Sequence, residues 1–280
     1  MKDTSYILSE PVNLSDFALF LSVMKNRQAY RNTLSIILDE PDIQIKEVKV
    51  EQVILNKSGK RAIRLDAWAI SADERQFNME MENHSEKDSI PKRSRYYQGL
   101  LDSPILKSGR ETKYRELPST VIIFITQEDI FKRDRAKYTF KERCEEIQEL
   151  YLDDGTTKIF LNMTSENGSK ELISLLQYMK ETNLDNPHIL VKDTRIVELD
   201  KIVTEVKESE EWEEMHMTIY DRGIEKGIEK GIEKGISEMI ALCQEFQLSK
   251  EDIVQRLIEK FQLDEDKANH LYQRFSTKNV

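Results

Sequence analysis

A polar and apolar alternation from Arg61 to Glu82, interrupted once by a turn, constrains this chain more than any other stretch. RAIRLDAWAI and QFNMEMEN each alternate with period two, and Ser71 to Arg75 between them has the composition of a turn, so the segment predicts one β-hairpin. A loop of Ala72 to Glu74 puts Asp66 directly across from Glu80, and directly opposed residues share a sheet face. Glu82 falls on that face too, while Phe77, Met79 and Met81 take the other and are expected to enter the core. Opposed like charges destabilise a sheet, so three converging carboxylates require compensation. A divalent cation with oxygen ligands is the expected source.

The segment IPKRSRYY follows at residues 90 to 97. Pro91 suits a helix start, and helical spacing continues to Leu106 with Tyr96, Leu100 and Leu101 as packing positions. Asp66, then Glu80-Met81-Glu82, then Lys92-Arg93-Ser94-Arg95-Tyr96-Tyr97 form a pattern that resembles the PD-(D/E)XK nuclease-fold family of recombination-promoting nucleases and transposases. The resemblance runs from about Asp16 to about Gly168, taking in Leu117 to Ile125, Tyr138 to Phe140 and Leu152 to Gly155. It implies a restriction-endonuclease-like α/β core with a mixed sheet flanked by helices, and a cytosolic metal-dependent DNA endonuclease, active in recombination or transposition. Asp66 and Glu80 would then bind Mg²⁺ or Mn²⁺, and Asp16 of a first helix would add an acid. The family's third position is usually Lys or Gln, which orients the attacking water, whereas Glu82 stands here. Lys92, Arg93, Arg95 and Tyr96 are the nucleic-acid-binding candidates, because Arg forks onto phosphate and aromatic faces stack on bases. His84 reads as a surface polar residue.

A net charge of −10 argues against indiscriminate nucleic-acid binding over the whole surface. The distribution is uneven: Lys92 to Arg143 holds 13 Lys and Arg against 7 Asp and Glu, whereas Glu198 to Glu214 is dominated by acids. A local basic surface beside an acidic site is what a phosphodiester substrate needs. The same charges on solvated helix faces would carry no function. Cys144 and Cys243 lack metal-ligand spacing and fit a reducing cytoplasm. The longest strongly apolar run, Val121 to Ile125, is far short of the roughly 20 residues of a membrane span, so no membrane partner is expected.

In chain order, a helix capped at Asn13 or Ser15 is predicted through roughly Leu38, then an extended run from Ile43 to Leu55 and a turn at Asn56 to Gly59. Thr120 to Thr126 reads as a central strand buried on both faces. A basic loop, Lys132 to Lys137, precedes strands at Tyr138 to Arg143 and Thr157 to Met163, and an amphipathic helix spans Lys170 to Lys180. These elements make one domain of residues 1–195, followed by a long acidic helix at 196–236 and a helical pair at 237–280. The long helix repeats Gly-Ile-Glu-Lys from Gly223, and a period of four drifts about 40° per repeat against the 3.6-residue turn. Glycines and isoleucines therefore wind in adjacent stripes. Glycine costs a helix up to about 1 kcal/mol per residue, so packing must compensate, and a homo-oligomer joined through this tail is expected. Two other functions fit the sequence: a DNA-binding protein of the same fold without cleavage, and a scaffold acting through the tail.

Overall fold

The structure, a computed structural model, describes residues 12–56, 60–83, 88–105 and 113–276; side chains at 216 and 218–229 are not described. The tip of the expected turn at Lys57 to Gly59, His84, and the expected helix end at Leu106 lie outside the described residues. The chain divides into two units, Met1–Ser209 and Glu210–Val280.

The first unit contains α1 (Phe17–Met24), α2 (Arg27–Leu38), β1 (Ile45–Ile54), β2 (Ile63–Ser71), β3 (Gln76–Glu82) and α3 (Ile90–Asp102). It continues with β4 (Thr120–Thr126), β5 (Lys137–Phe140), β6 (Thr156–Asn162), α4 (Lys170–Lys180) and α5 (Thr194–Lys207). The strands form a six-stranded sheet in the order β1-β2-β3-β4-β6-β5. Pairing is parallel within β3-β4-β6 and antiparallel elsewhere, so the sheet is mixed and the fold is α/β. Every residue of β4 is buried, as its unbroken apolar run predicts for a strand with both faces covered.

The parallel registers Glu80↔Phe124 and Phe124↔Phe160 align these three residues on one sheet face. On that face Phe124 and Phe160 form a cluster with Ile90 and Leu101 of α3, the helix that crosses from β3 to β4. Phe77, Met79, Ile123 and Ile125 fall on the opposite face and are buried as the alternation requires. Tyr30 of α2, itself fully buried, bonds from its hydroxyl to the carbonyl of Ala67 in β2 (3.4 Å).

Three of the boundaries that differ from those the sequence predicts concern the helices of this unit. The single helix expected through Leu38 is two, because Asn26 Oδ1 accepts from the N–H groups of Gln28 (2.9 Å) and Ala29 (3.2 Å) and so starts a fresh helix. Asp16, not Asn13 or Ser15, occupies the N-cap position of α1. The first unit runs to Ser209 rather than ending near 195, because α5 buries Ile196, Leu199 and Val203. Polar bonds fasten it: Asn32 Nδ2 donates to Glu198 (3.0 Å) and to the carbonyl of Arg195 (3.2 Å), and Tyr178 donates to Asp200 (2.8 Å). The acidic stretch is accordingly split between α5 and α6 (Glu210–Glu245).

The second unit consists of α6, α7 (Lys250–Phe261) and α8 (Glu265–Ser276). Ile236, Ile240 and Cys243 of α6 share a small core with Ile253, Val254 and Leu257 of α7 and Ala268 and Leu271 of α8. At Gly235 an added Cβ would lie 3.7 Å from the ring of Phe261, an ordinary contact. The end of the Gly-Ile repeat therefore packs within its own chain. Most side chains of the earlier repeats are among those not described. Among the described residues no helix is long and apolar enough to cross a membrane.

A chain ending at Ser209 should unfold in one cooperative transition, whereas one ending at Asp193 should lose at least about 4 kcal/mol, since three apolar side chains at roughly 1.5–3 kcal/mol each leave the core. Urea denaturation of the two chains measures the difference. Equal midpoints would remove α5 from the fold.

Candidate active site

Strands β2 and β3 pair from Ala67↔Met79 to Ile70↔Gln76, and the turn closes with Ser71 N–H donating to the carbonyl of Arg75 (3.0 Å). One step beyond the last pair, this register sets Asp66 opposite Glu80, as the hairpin pattern predicts. There the ladder exchanges main-chain acceptors for side-chain ones. Asp66 N–H donates to Glu80 Oε1 (3.0 Å), and Met81 N–H donates to Asp66 Oδ2 (3.1 Å). On the other side of β2, Glu51 lies between the pairs Val50↔Ala67 and Gln52↔Leu65, hence opposite Asp66, and has φ +51°. A left-handed non-glycine residue inside a strand costs of order 1–3 kcal/mol, so the sheet carries strain beside its buried carboxylates.

Glu80 is 1% exposed and both of its oxygens are engaged. Besides the Asp66 N–H, Oε1 accepts from Asn78 Nδ2 (2.9 Å), and Oε2 accepts from Arg93 Nη2 (3.1 Å). The same guanidinium donates through Nη1 to Glu82 and lies over the rings of Phe124 (5.0 Å) and Tyr97 (5.4 Å). One arginine thus bridges two of the three carboxylates, supplying part of the compensation that the sequence assigns to a metal ion. Helix α3 aims it there because Ile90, Arg93, Ser94, Tyr97 and Leu101 recur at helical spacing on the face turned to the sheet.

Burial is the main reason that the Asp66 carboxyl is pushed up to about 8, with the neighbouring charge of Glu80 second. The Met81 N–H, Arg93 and Arg64 oppose that shift without cancelling it. Glu80 is also raised, by burial, against the hydrogen bonds that favour its charged form. Tyr30 is held neutral by its burial and by the charge of Glu80. Two carboxylates at close quarters with raised proton affinity are short of positive charge, and Arg93 alone does not supply it.

The other expected site residues are placed differently. Asp16 is exposed, and its carboxylate turns back to accept from the N–H of Asn13 (2.6 Å). Lys92 and Arg95 are exposed on the outer side of α3. Tyr96 is also exposed, and its hydroxyl donates to the carbonyl of Arg61 (2.5 Å) and accepts from Asn56 (3.0 Å), fastening α3 to the hairpin. Tyr97, rather than Tyr96, packs inward, with its ring 6.1 Å from that of Phe124. Asn78, Tyr30 and Phe124 complete the surroundings of Glu80. Asn78 was open to inference, since it precedes Glu80 by two residues and so shares its face. Tyr30 lies on another element and leaves no signal in the sequence.

Asp66 and Glu80 are hard oxygen donors of the kind Mg²⁺ takes, and their raised proton affinity fits a site that gains from a cation. Asp66 Oδ1 has no hydrogen bond among the described residues. Glu80 could join it as a ligand only by sharing an oxygen now bonded to Arg93, Asn78 or Asp66 N–H. Among the described residues no three His, Cys, Asp or Glu side chains are grouped to hold a metal, so the remaining ligands of such a site would be water or substrate. No family model, curated protein or solved structure matches this chain.

The raised carboxyl has a consequence for stability. Between the ordinary value of 3.8 and about 8, folded Asp66 keeps a proton that the unfolded chain has released, so raising the pH through this window favours unfolding. Metal-free protein should therefore lose stability from pH 4 to 8, with a contribution from this group of up to about 1.4 kcal/mol per pH unit. Asp66→Asn should flatten that decline and raise the melting temperature at pH 8. A variant that melts below the parent at pH 8 would show that the charged form is favoured.

Proposed function

We propose that this chain is a metal-dependent DNA endonuclease with a PD-(D/E)XK-type core. The observation that carries the proposal is the buried Asp66–Glu80 pair at the parting of two strands, with Arg93 reaching it from the next helix. Mg²⁺ held by Asp66 and Glu80 would supply water activation and stabilisation of charge on the phosphodiester oxygens. The remaining steps fall to the chain's own side chains. Arg93 offers the cationic donor that Glu82 does not, and its bond to Glu82 offsets the negative charge that would repel a phosphate. Glu82, at the less buried margin of the cluster, would accept a proton from water. Two buried polar atoms beside Glu80, Arg93 Nε and Asn78 Oδ1, have no hydrogen-bond partner among the described residues, which leaves the polar cluster incompletely satisfied. Lys92 and Arg95 face solvent on the same helix and are available to phosphates.

One observation favours a second function, DNA binding without cleavage. Arg93 ties Glu80 to Glu82, and a cluster closed in this way resembles a structural ion-pair network. Supercoiled DNA incubated with Mg²⁺, Mn²⁺ or EDTA separates the two. Nuclease function predicts nicking with either metal and none in EDTA. Asp66→Ala and Glu80→Ala should each lower the rate by more than the roughly 10–100-fold that an outer-shell partner costs, with circular dichroism unchanged. Intact DNA at every metal concentration, with binding retained, would establish the second function.

For the tail, self-association through the Gly-Ile stripe is a separate proposal. Among the described residues nothing lies within 4 Å of a Cβ added at Gly231, and Ile232 is 45% exposed, so both are available to a second helix. Sedimentation equilibrium of the full chain should show at least a dimer. A monomer throughout the micromolar range would refute it.

A further inference from the structure

We infer that the loop from Asp129 to Arg135 is a preformed phosphate clamp that holds duplex DNA against the carboxylate site. The inference rests on the nuclease or DNA-binding function proposed above and deepens it by naming a second contact. The loop leaves the sheet at the same edge as the site: β4 ends at Thr126, whose register partner is Glu82, and Gln127 Nε2 donates to Asn83 Oδ1 (3.3 Å) across the two strand ends.

The construction of the loop is unusual for a simple connection. The Asp129 carboxylate accepts from the N–H groups of Phe131 (3.0 Å), Lys132 (3.0 Å), Arg133 (2.9 Å) and Asp134 (2.7 Å), and from the Tyr138 hydroxyl (2.7 Å). Tyr138 in turn accepts from the N–H groups of Arg133 (3.3 Å) and Arg135 (3.1 Å). Lys132 (φ +54°) and Asp134 (φ +51°) are both left-handed although neither is glycine. Such conformations persist only where surrounding bonds over-determine them, and they concentrate at functional sites. With the backbone N–H groups gathered inward, the Lys132, Arg133 and Arg135 side chains are exposed, and among the described residues none of the three forms an ion pair. Arg135 makes one neutral contact, to Asn167 (3.0 Å). A pre-ordered backbone presenting three exposed cations, with the exposed Asp134 among them, loses little entropy when phosphates arrive.

Phe131 anchors the loop to the cluster beneath α3. Steps of 5.0, 6.0 and 5.2 Å lead from the Arg93 guanidinium to Phe124, from Phe124 to Phe160 and from Phe160 to Phe131. Phe131 therefore lies within about half of the ~34 Å turn of B-form DNA from the Arg93 guanidinium, which is bonded to Glu80 and Glu82, a separation within the span of one duplex.

The test is fluorescence anisotropy with a labelled 30-base-pair duplex in EDTA, over a range of salt concentrations. The parent chain is compared with a Lys132→Gln, Arg133→Gln, Arg135→Gln variant and with a Lys132→Arg, Arg133→Lys, Arg135→Lys variant that keeps the charges. The neutral variant should bind at least about ten-fold more weakly and reduce the slope of log K against log salt by about 3, one for each lost phosphate contact, while the charge-preserving variant retains the parent slope. An unchanged slope in a neutral variant with the parent melting temperature overturns the clamp and leaves the proposed function standing. If the parent chain shows no salt-dependent DNA binding, both are overturned.

Discussion

Placing two carboxylates side by side in a protein interior costs several kcal/mol per ion unless each is hydrogen-bonded and paired, and this requirement fixes the positions of β2, β3 and α3. Asp66 and Glu80 meet it by taking each other's strand N–H groups, and Glu80 meets the remainder through Asn78 and Arg93. The pair of strands can part there because side chains take over as hydrogen-bond acceptors. Arg93 must then lie beneath α3, which accounts for the packing of its guanidinium on Phe124 and Tyr97. Removing Arg93 would leave a charge deficit in the core, while a divalent cation would relieve the raised proton affinity of both acids.

The aromatic row beneath α3 gives the site mechanical support. Glu80, Phe124 and Phe160 are aligned by parallel registers, and Phe131 meets Phe160 edge to face (84°). Geometry at the carboxylates is thereby tied to the backbone of the loop after β4, which is fixed from within by Asp129. The carboxylates and the basic loop lie toward the same end of β3 and β4. Sites carried by strands and packed helices hold their side chains more closely than sites on free loops.

The second unit shows how a sequence repeat can change its role along one helix. Repeated Gly-Ile pairs wind slowly around α6, so neighbouring repeats face in different directions. At Gly235 and Ile236 the stripe turns onto α7 and α8, where the glycine faces the ring of Phe261 and the isoleucine fills the core. Ile232, one repeat earlier, is already 45% exposed. Periodicity predicts the stripe but not the surface that it meets.

Much of the site was legible in the sequence because a strand has a period of two and a short loop admits few registers. Those two facts set Asp66 against Glu80, put Glu82 on the same face and sent Phe77, Met79 and Met81 to the core. Helical spacing likewise marked α4 and the start of α3, and an unbroken apolar run marked β4. Tertiary structure decided what the carboxylates meet. The sequence offers Lys92, Arg93 and Arg95 as similar cations, and only the docking of α3 turns Arg93 inward and the other two to solvent. Tyr30 comes from a helix packed across the sheet, a contact that no local period encodes. The Asn26 cap that divides α1 from α2 could have been read locally, but the extension of the first unit to Ser209 could not. That boundary is set by which apolar faces find partners, and a pairing between distant elements is a property of the folded chain rather than of any segment.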